Sequence, residues 1–119
     1  MWEIEYTDEF GEWWTQLTDS EQDVLAASIS LLEELGPNLG RPHADHIKGS
    51  KHANMKELRT QADGEPLWTF FAFDPRRTAI LLIGGNKGGD GRFYERIIPI
   101  ADRLYDTHLE ELKKEGLLS

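Results

Sequence analysis

Trp2, Ile4 and Tyr6 alternate with Glu3 and Glu5, the two-residue period of a short half-buried strand. Thr7-Asp8 then offers a helix cap. Phe10, Trp13, Trp14 and Leu17 follow at helical spacing and make one apolar stripe. Thr18-Asp19-Ser20-Glu21 has the Ser/Thr-x-x-Glu spacing of a capping box, so a second helix starts there. Val24, Leu25, Ser28, Leu31, Leu32 and Leu35 form its expected buried face. Gly36-Pro37 stops it, because glycine accepts the left-handed cap and proline cannot continue the helix. The two helices form an antiparallel hairpin.

Residues 38–54 carry no sustained period and read as a long loop, the kind that in a small domain is often functional. Met55–Gln61 reads as a strand, Asp63-Gly64 as a hairpin turn, and Leu67–Phe73 as a central strand, apolar on both faces. Asp74-Pro75-Arg76-Arg77 turns the chain into the nearly continuous apolar strand Thr78–Ile83. A glycine-rich loop around Lys87 follows, and the helical period returns from about Arg92 to Glu115, with a kink expected at Pro99. Strand, two helices, three meandering strands and a helix predict an α+β fold. In it, an N-terminal strand and helical hairpin pack with a C-terminal helix on an antiparallel sheet, as one domain over residues 1–119.

Charge changes this picture by dividing the chain. Residues 1–40 hold ten acids and no Lys or Arg, residues 41–92 hold nine bases and six acids, and the whole carries −9. The acidic total argues against general nucleic-acid affinity, whereas a basic middle on a rigid sheet permits contact with one phosphate-bearing substrate. There is no cysteine, so disulfide and thiolate chemistry are excluded. The acidic, alternating start lacks the basic end and apolar run of a signal peptide, and no apolar stretch approaches a membrane span. A cytoplasmic protein with no membrane contact is expected.

Lys56-Glu57-Leu58-Arg59, Phe71-Ala72-Phe73-Asp74-Pro75, and Ile80-Leu81-Leu82 followed by a lysine-bearing loop stand out along the three meander strands. In these motifs, their order and spacing and the length of the chain, it resembles the RelE/ParE superfamily of type II toxins, most closely its phage-derived HigB-like branch. The resemblance implies a RelE-like fold and a metal-independent, ribosome-dependent mRNA endonuclease that arrests translation. It also implies a helix-turn-helix antitoxin (HigA-like) as partner, and no cofactor. In such a reaction the 2′-hydroxyl attacks its own neighbouring phosphate. The protein orients the attack, stabilises charge building on phosphorus, and helps move protons. ParE relatives share the fold without being nucleases, so a binding toxin such as a topoisomerase inhibitor is the alternative, as is a decayed toxin that retains only antitoxin binding.

By position, Arg59 matches the family's strand arginine. If Leu58 faces the core, Arg59 faces the open side of the sheet, where its planar fork suits phosphate oxygens. Lys87 matches the basic loop after the last strand. Tyr94, just beyond, can stack on a base or share proton transfer, and His52 is a candidate proton carrier. Lys48, Lys51, Lys56, Arg76, Arg77 and Arg92 are candidate RNA contacts. Trp68 joins them as a stacking platform, standing with Leu67 where relatives often carry a Tyr-Arg pair.

Plainer readings stand beside these. Arg59 can be a strand residue paired with Glu57 or Glu65, and Lys87 a solvated turn residue. Arg76-Arg77 most simply solvates a tight turn. The glycines around Lys87 lack the GxxxxGK[ST] spacing of a nucleotide loop. His43, His46 and His52 do not match a helical or finger-type metal site.

Overall fold

The computed structural model describes residues 1–117, so Leu118 and Ser119 of the expected 1–119 domain lie outside the described residues. The elements run β1 (Ile4–Tyr6), α1 (Asp8–Thr15), α2 (Asp19–Leu35), β2 (Ala44–His46), β3 (Lys56–Ala62), β4 (Glu65–Phe73), β5 (Ala79–Asn86) and α3 (Phe93–Lys114). A single 3₁₀ turn, Gly36–Asn38, follows α2.

Both N-terminal helices start at the predicted caps. The Thr7 hydroxyl accepts the Phe10 N–H at 3.0 Å. Thr18 and Glu21 close a reciprocal box, Thr18 Oγ1 accepting the Glu21 N–H at 3.1 Å and Glu21 accepting the Thr18 N–H at 2.9 Å. Gly36 ends α2 with φ +54°, a conformation that favours glycine. The buried positions of α2 are Leu25 and Leu32, with Ile29 packed beside them. Val24 and Leu35, expected inside, are exposed because they sit at the edges of the stripe.

The strands form one sheet in the order β1-β5-β4-β3-β2. The meander β3-β4-β5 is antiparallel with β4 at the centre, as read from its apolar run. The sheet as a whole is mixed, because β1, which precedes the helical hairpin, lies parallel to β5 at the sheet edge. β2 lies inside the stretch expected to be loop. It is a three-residue edge strand antiparallel to β3, with Ala44 opposite Leu58 and Asp45 opposite Glu57.

Helices cover both faces. α1 and α2 bury Phe10, Leu25, Leu32, Leu58, Phe71 and Leu81 on one side. α3 buries Met55, Phe70, Ala72, Ile80, Leu82 and its own Phe93, Ile97 and Ala101 on the other. This helix runs through Pro99 from a start at Phe93. The ladder between β4 and β5 slips by one residue: Phe70 pairs with Ile83 but Phe71 pairs with Leu81, so β5 carries one extra residue, Leu82. Beyond the bulge the alternation is inverted. Gly84 meets Trp13 of α1 while Gly85 meets Phe93 of α3.

Candidate functional site

α3 packs chiefly over β5 and β4, which places β3 and β2 toward the edge of that face. Alternation along β3 sends Leu58 to the helical hairpin and Glu57 and Arg59 to the α3 side. Arg59 stands opposite Trp68 of β4, and its guanidinium carbon lies 4.8 Å from the centre of the indole. The Lys87 ammonium approaches the same indole to 4.1 Å and the Tyr94 ring to 4.8 Å. One aromatic surface therefore gathers two cations brought by separate elements, each contact favoured by the ring's negative face.

Two carboxylates order Arg59. Glu57 Oε2 accepts from Arg59 Nε at 2.7 Å, and Oε1 accepts from the Tyr94 hydroxyl at 2.7 Å. Its side chain is only 3% exposed, against 30% for Arg59. Asp45, across the ladder on β2, holds Arg41 Nε at 2.8 Å and Arg59 Nη2 at a looser 3.5 Å. The Arg41 hydrogen bond, with the His46 backbone N–H, keeps the Asp45 carboxyl below its ordinary range. Burial, reinforced by the Glu57 carboxylate, pushes the Tyr94 phenol well above its ordinary value, so this hydroxyl stays protonated across the physiological range. Arg41, Asp45, His46, Lys48, Glu57, Arg59 and Tyr94 line an open cleft of about 390 Å³. With Lys87 beside it, the cleft counts four Lys/Arg against two acids, 4 − 2 = +2, on a chain of −9. Such a site suits a phosphate with an adjoining ring to stack.

Of the residues singled out in the sequence, Arg59, Lys87, Tyr94 and Trp68 converge here, Lys48 lies on the rim, and Arg92 is exposed two positions before Tyr94. Others are placed elsewhere. His52 bonds Asp106 at 2.8 Å and packs edge-on against Tyr105, and Lys51 pairs with the same Asp106. Asp106 is twelve residues along α3 from Tyr94, about 18 Å at the helical rise. Lys56 points to the opposite face from Arg59, opposite Phe71. Arg76 is held by Asp74 at 2.7 Å and Glu5 at 2.8 Å, and Arg77 stacks over Trp2 at 4.9 Å. Both arginines serve the β4–β5 turn, at the far end of the ladder from Lys87. Among the described residues no group of three or more His, Asp and Glu is arranged to hold a metal ion, and no helix is long and apolar enough to cross a membrane.

Asp45 and Arg41 were not singled out in the sequence, and Glu57 entered only within the Lys56–Arg59 motif and as a possible partner of Arg59. The available signal was an acid two positions before Arg59 on one strand, which alternation places on the same face.

Compared with known proteins, the chain matches the family of phage-derived Gp49-like proteins over residues 12–106. It belongs to that family. The Gp49-like chain is 46% identical over 98 residues to HigB3 of Mycobacterium tuberculosis, covering 82% of this chain and 84% of that one. It is 41% identical over 103 residues to HigB2 of the same organism, covering 85% of this chain but spanning only about half, 51%, of that relative's length. Both relatives are designated candidate toxins. Among solved structures, the isolated E. coli RelE toxin superposes with a TM-score of 0.59 at 9% identity, over 84% of this chain and 99% of RelE. RelE in an archaeal RelE–RelB complex from Pyrococcus horikoshii superposes with a TM-score of 0.53 at 12% identity, over 74% and 97%. The Gp49-like chain thus has a RelE-like fold and HigB-like relatives, as the strand motifs around Arg59 led us to expect.

Proposed function

We propose that this Gp49-like chain is the toxin of a type II toxin–antitoxin pair and arrests translation by cutting mRNA on the ribosome. The observation that carries the reading is the meeting of Arg59, Lys87, Trp68 and Tyr94 beside an open, locally cationic cleft that Arg59 and Tyr94 line. The HigB relatives and the RelE-like fold support it.

The chemistry follows from the groups in hand. The RNA 2′-oxygen forms a bond to the adjacent phosphorus as the bond from phosphorus to the 5′-oxygen breaks. One proton leaves the 2′-hydroxyl and one reaches the departing oxygen, giving a cyclic phosphate and a free 5′-hydroxyl. Arg59 presents its outer nitrogens to the non-bridging oxygens, where negative charge grows. Lys87 adds a second positive charge, and Trp68 offers a face to a neighbouring base. Tyr94 brings a protonated hydroxyl beside the reacting atoms. The ribosome presents the mRNA strand, and the protein contributes position and charge.

The partner in this reading is an antitoxin, in keeping with the RelE–RelB complex of the Pyrococcus protein, and of the helix-turn-helix, HigA-like kind. Primer extension on a defined mRNA, with and without programmed ribosomes, tests the activity. We expect cleavage that requires ribosomes and falls at least about 100-fold in Arg59→Ala, the scale of losing a donor to developing charge. Intact mRNA with the wild-type protein would refute the nuclease. DNA damage in expressing cells would then indicate a topoisomerase-directed toxin.

A further inference from the structure

We infer that Glu57 is a positioning residue that presets both working groups of the cleft, fixing the fork of Arg59 and the direction of the Tyr94 hydroxyl. The inference rests on the cleavage reading above and adds to it a residue that touches no substrate.

Glu57 sits in the middle of β3, nearly fully buried, between two groups that arrive by different routes. Arg59 comes from the same strand and Tyr94 from the first turn of α3, 37 residues away in the chain. Each carboxylate oxygen takes one of them at 2.7 Å, so both arms are used. A buried carboxylate left without partners would be costly, which makes the arrangement self-enforcing.

Two consequences follow for the chemistry. With Nε committed to Glu57, the guanidinium cannot rotate freely. Its Nη2 reaches loosely toward Asp45, and its central carbon lies 4.8 Å from the centre of the Trp68 ring. The Tyr94 hydrogen is also committed to Glu57, which leaves the phenol oxygen's lone pairs to face the cleft. Tyr94 therefore meets RNA as a hydrogen-bond acceptor and suits the 2′-hydroxyl side of the reaction. A proton arriving on that oxygen can be matched by its own proton moving to Glu57.

Glu57→Gln tests this. The amide keeps the shape but has one acceptor oxygen and one NH₂, so it can receive only one of the two donors. We compare wild-type protein, Glu57→Gln and Thr60→Val under single-turnover conditions on programmed ribosomes, at a temperature where all three are folded. Thr60 lies on the same strand but on the other face, where its hydroxyl donates to Ser28 at 2.8 Å. We expect Glu57→Gln to lower the cleavage step about 100-fold, as a misplacement of about 1 Å does. Affinity for the programmed ribosome should change by less than about threefold, the split that marks an interaction used in the transition state. Thr60→Val should cleave at the wild-type rate. The Arg59 Nε–H resonance should exchange slowly in the wild type and rapidly in Glu57→Gln. Full-rate cleavage by Glu57→Gln, or equal slowing in Thr60→Val, overturns the inference while leaving the nuclease standing. Intact mRNA with wild-type protein overturns both.

Discussion

Replacing Gly84 by alanine adds one methyl group where the sheet meets α1. A β-carbon at that position would stand within 2.5 Å of three carbons of the Trp13 indole. Non-bonded carbons sit about 3.5–4.0 Å apart, so the ring or the strand must yield by about 1 Å or more. Trp13 cannot simply swing away, because its ring packs edge-on against Phe10 at 5.7 Å in the layer that α1 and α2 share with the sheet. Overpacking of this kind costs about 1–3 kcal/mol. The gain from restricting the unfolded chain returns about 0.4–1 kcal/mol, which leaves a net loss of about 1–2 kcal/mol. Two other glycines calibrate the figure. At Gly85 the added carbon would lie 3.0 Å from Phe93, a tight contact that a small shift relieves. At Gly91 nothing lies within 4 Å. Urea unfolding followed by circular dichroism should therefore rank the alanine variants Gly91, Gly85, Gly84 in order of increasing loss. A Gly84→Ala protein within about 0.5 kcal/mol of wild type, the range of an ordinary surface change, would refute the packing argument.

Two further outcomes follow from the charged groups. Asp45→Asn removes the carboxylate that now occupies Arg41 and Arg59. A short RNA oligonucleotide should then bind more tightly by fluorescence anisotropy, with a salt slope steeper by about 0.7 for each added phosphate contact; weaker binding would show Asp45 to be a support for Arg59. At the other end of the sheet, burial alone would raise the Asp74 carboxyl, but Arg76, His108 and the Thr78 N–H outweigh it and hold it below its ordinary value of 3.8. A depressed carboxyl stabilises the fold fully above that ordinary value, and the benefit disappears as pH falls through the lower folded value. The stability gap between wild type and Asp74→Asn should be widest near neutrality and close in acid. A gap independent of pH would refute the linkage.

The helices and the meander could be read from the sequence because their signals are local. Thr7 and Thr18 cap within one turn, and the split between Leu58 and Arg59 needs only alternation along β3. What escaped depended on distant partners. β2 is three residues long and exists through pairing with β3, so no period announces it. Lys51 and His52 precede the Arg59 strand closely in sequence, yet Asp106 of α3 draws them away from the cleft. Arg76 and Arg77 look available in a basic segment until Glu5, Asp74 and Trp2 are seen around them. The burial of Glu57 requires Tyr94, which only the folded course of α3 delivers.

The extra residue in β5 sets the phase of everything after it. Trp68 pairs with Gly85, and the next step of the same shifted ladder brings the Lys87 N–H to the Pro66 carbonyl at 2.9 Å. The bulge absorbs Leu82, so Lys87 stays opposite Pro66 and emerges on the Trp68 side. Pairing the same residues without the bulge would set Leu82 opposite Phe70 and turn Lys87 toward the helical hairpin, whereas deleting Leu82 would leave every pair from Ile83 onward unchanged. The end of β5 is thus insulated from one added residue upstream: the sheet takes up the extra length as a bulge and keeps the second phosphate-directed charge beside Trp68.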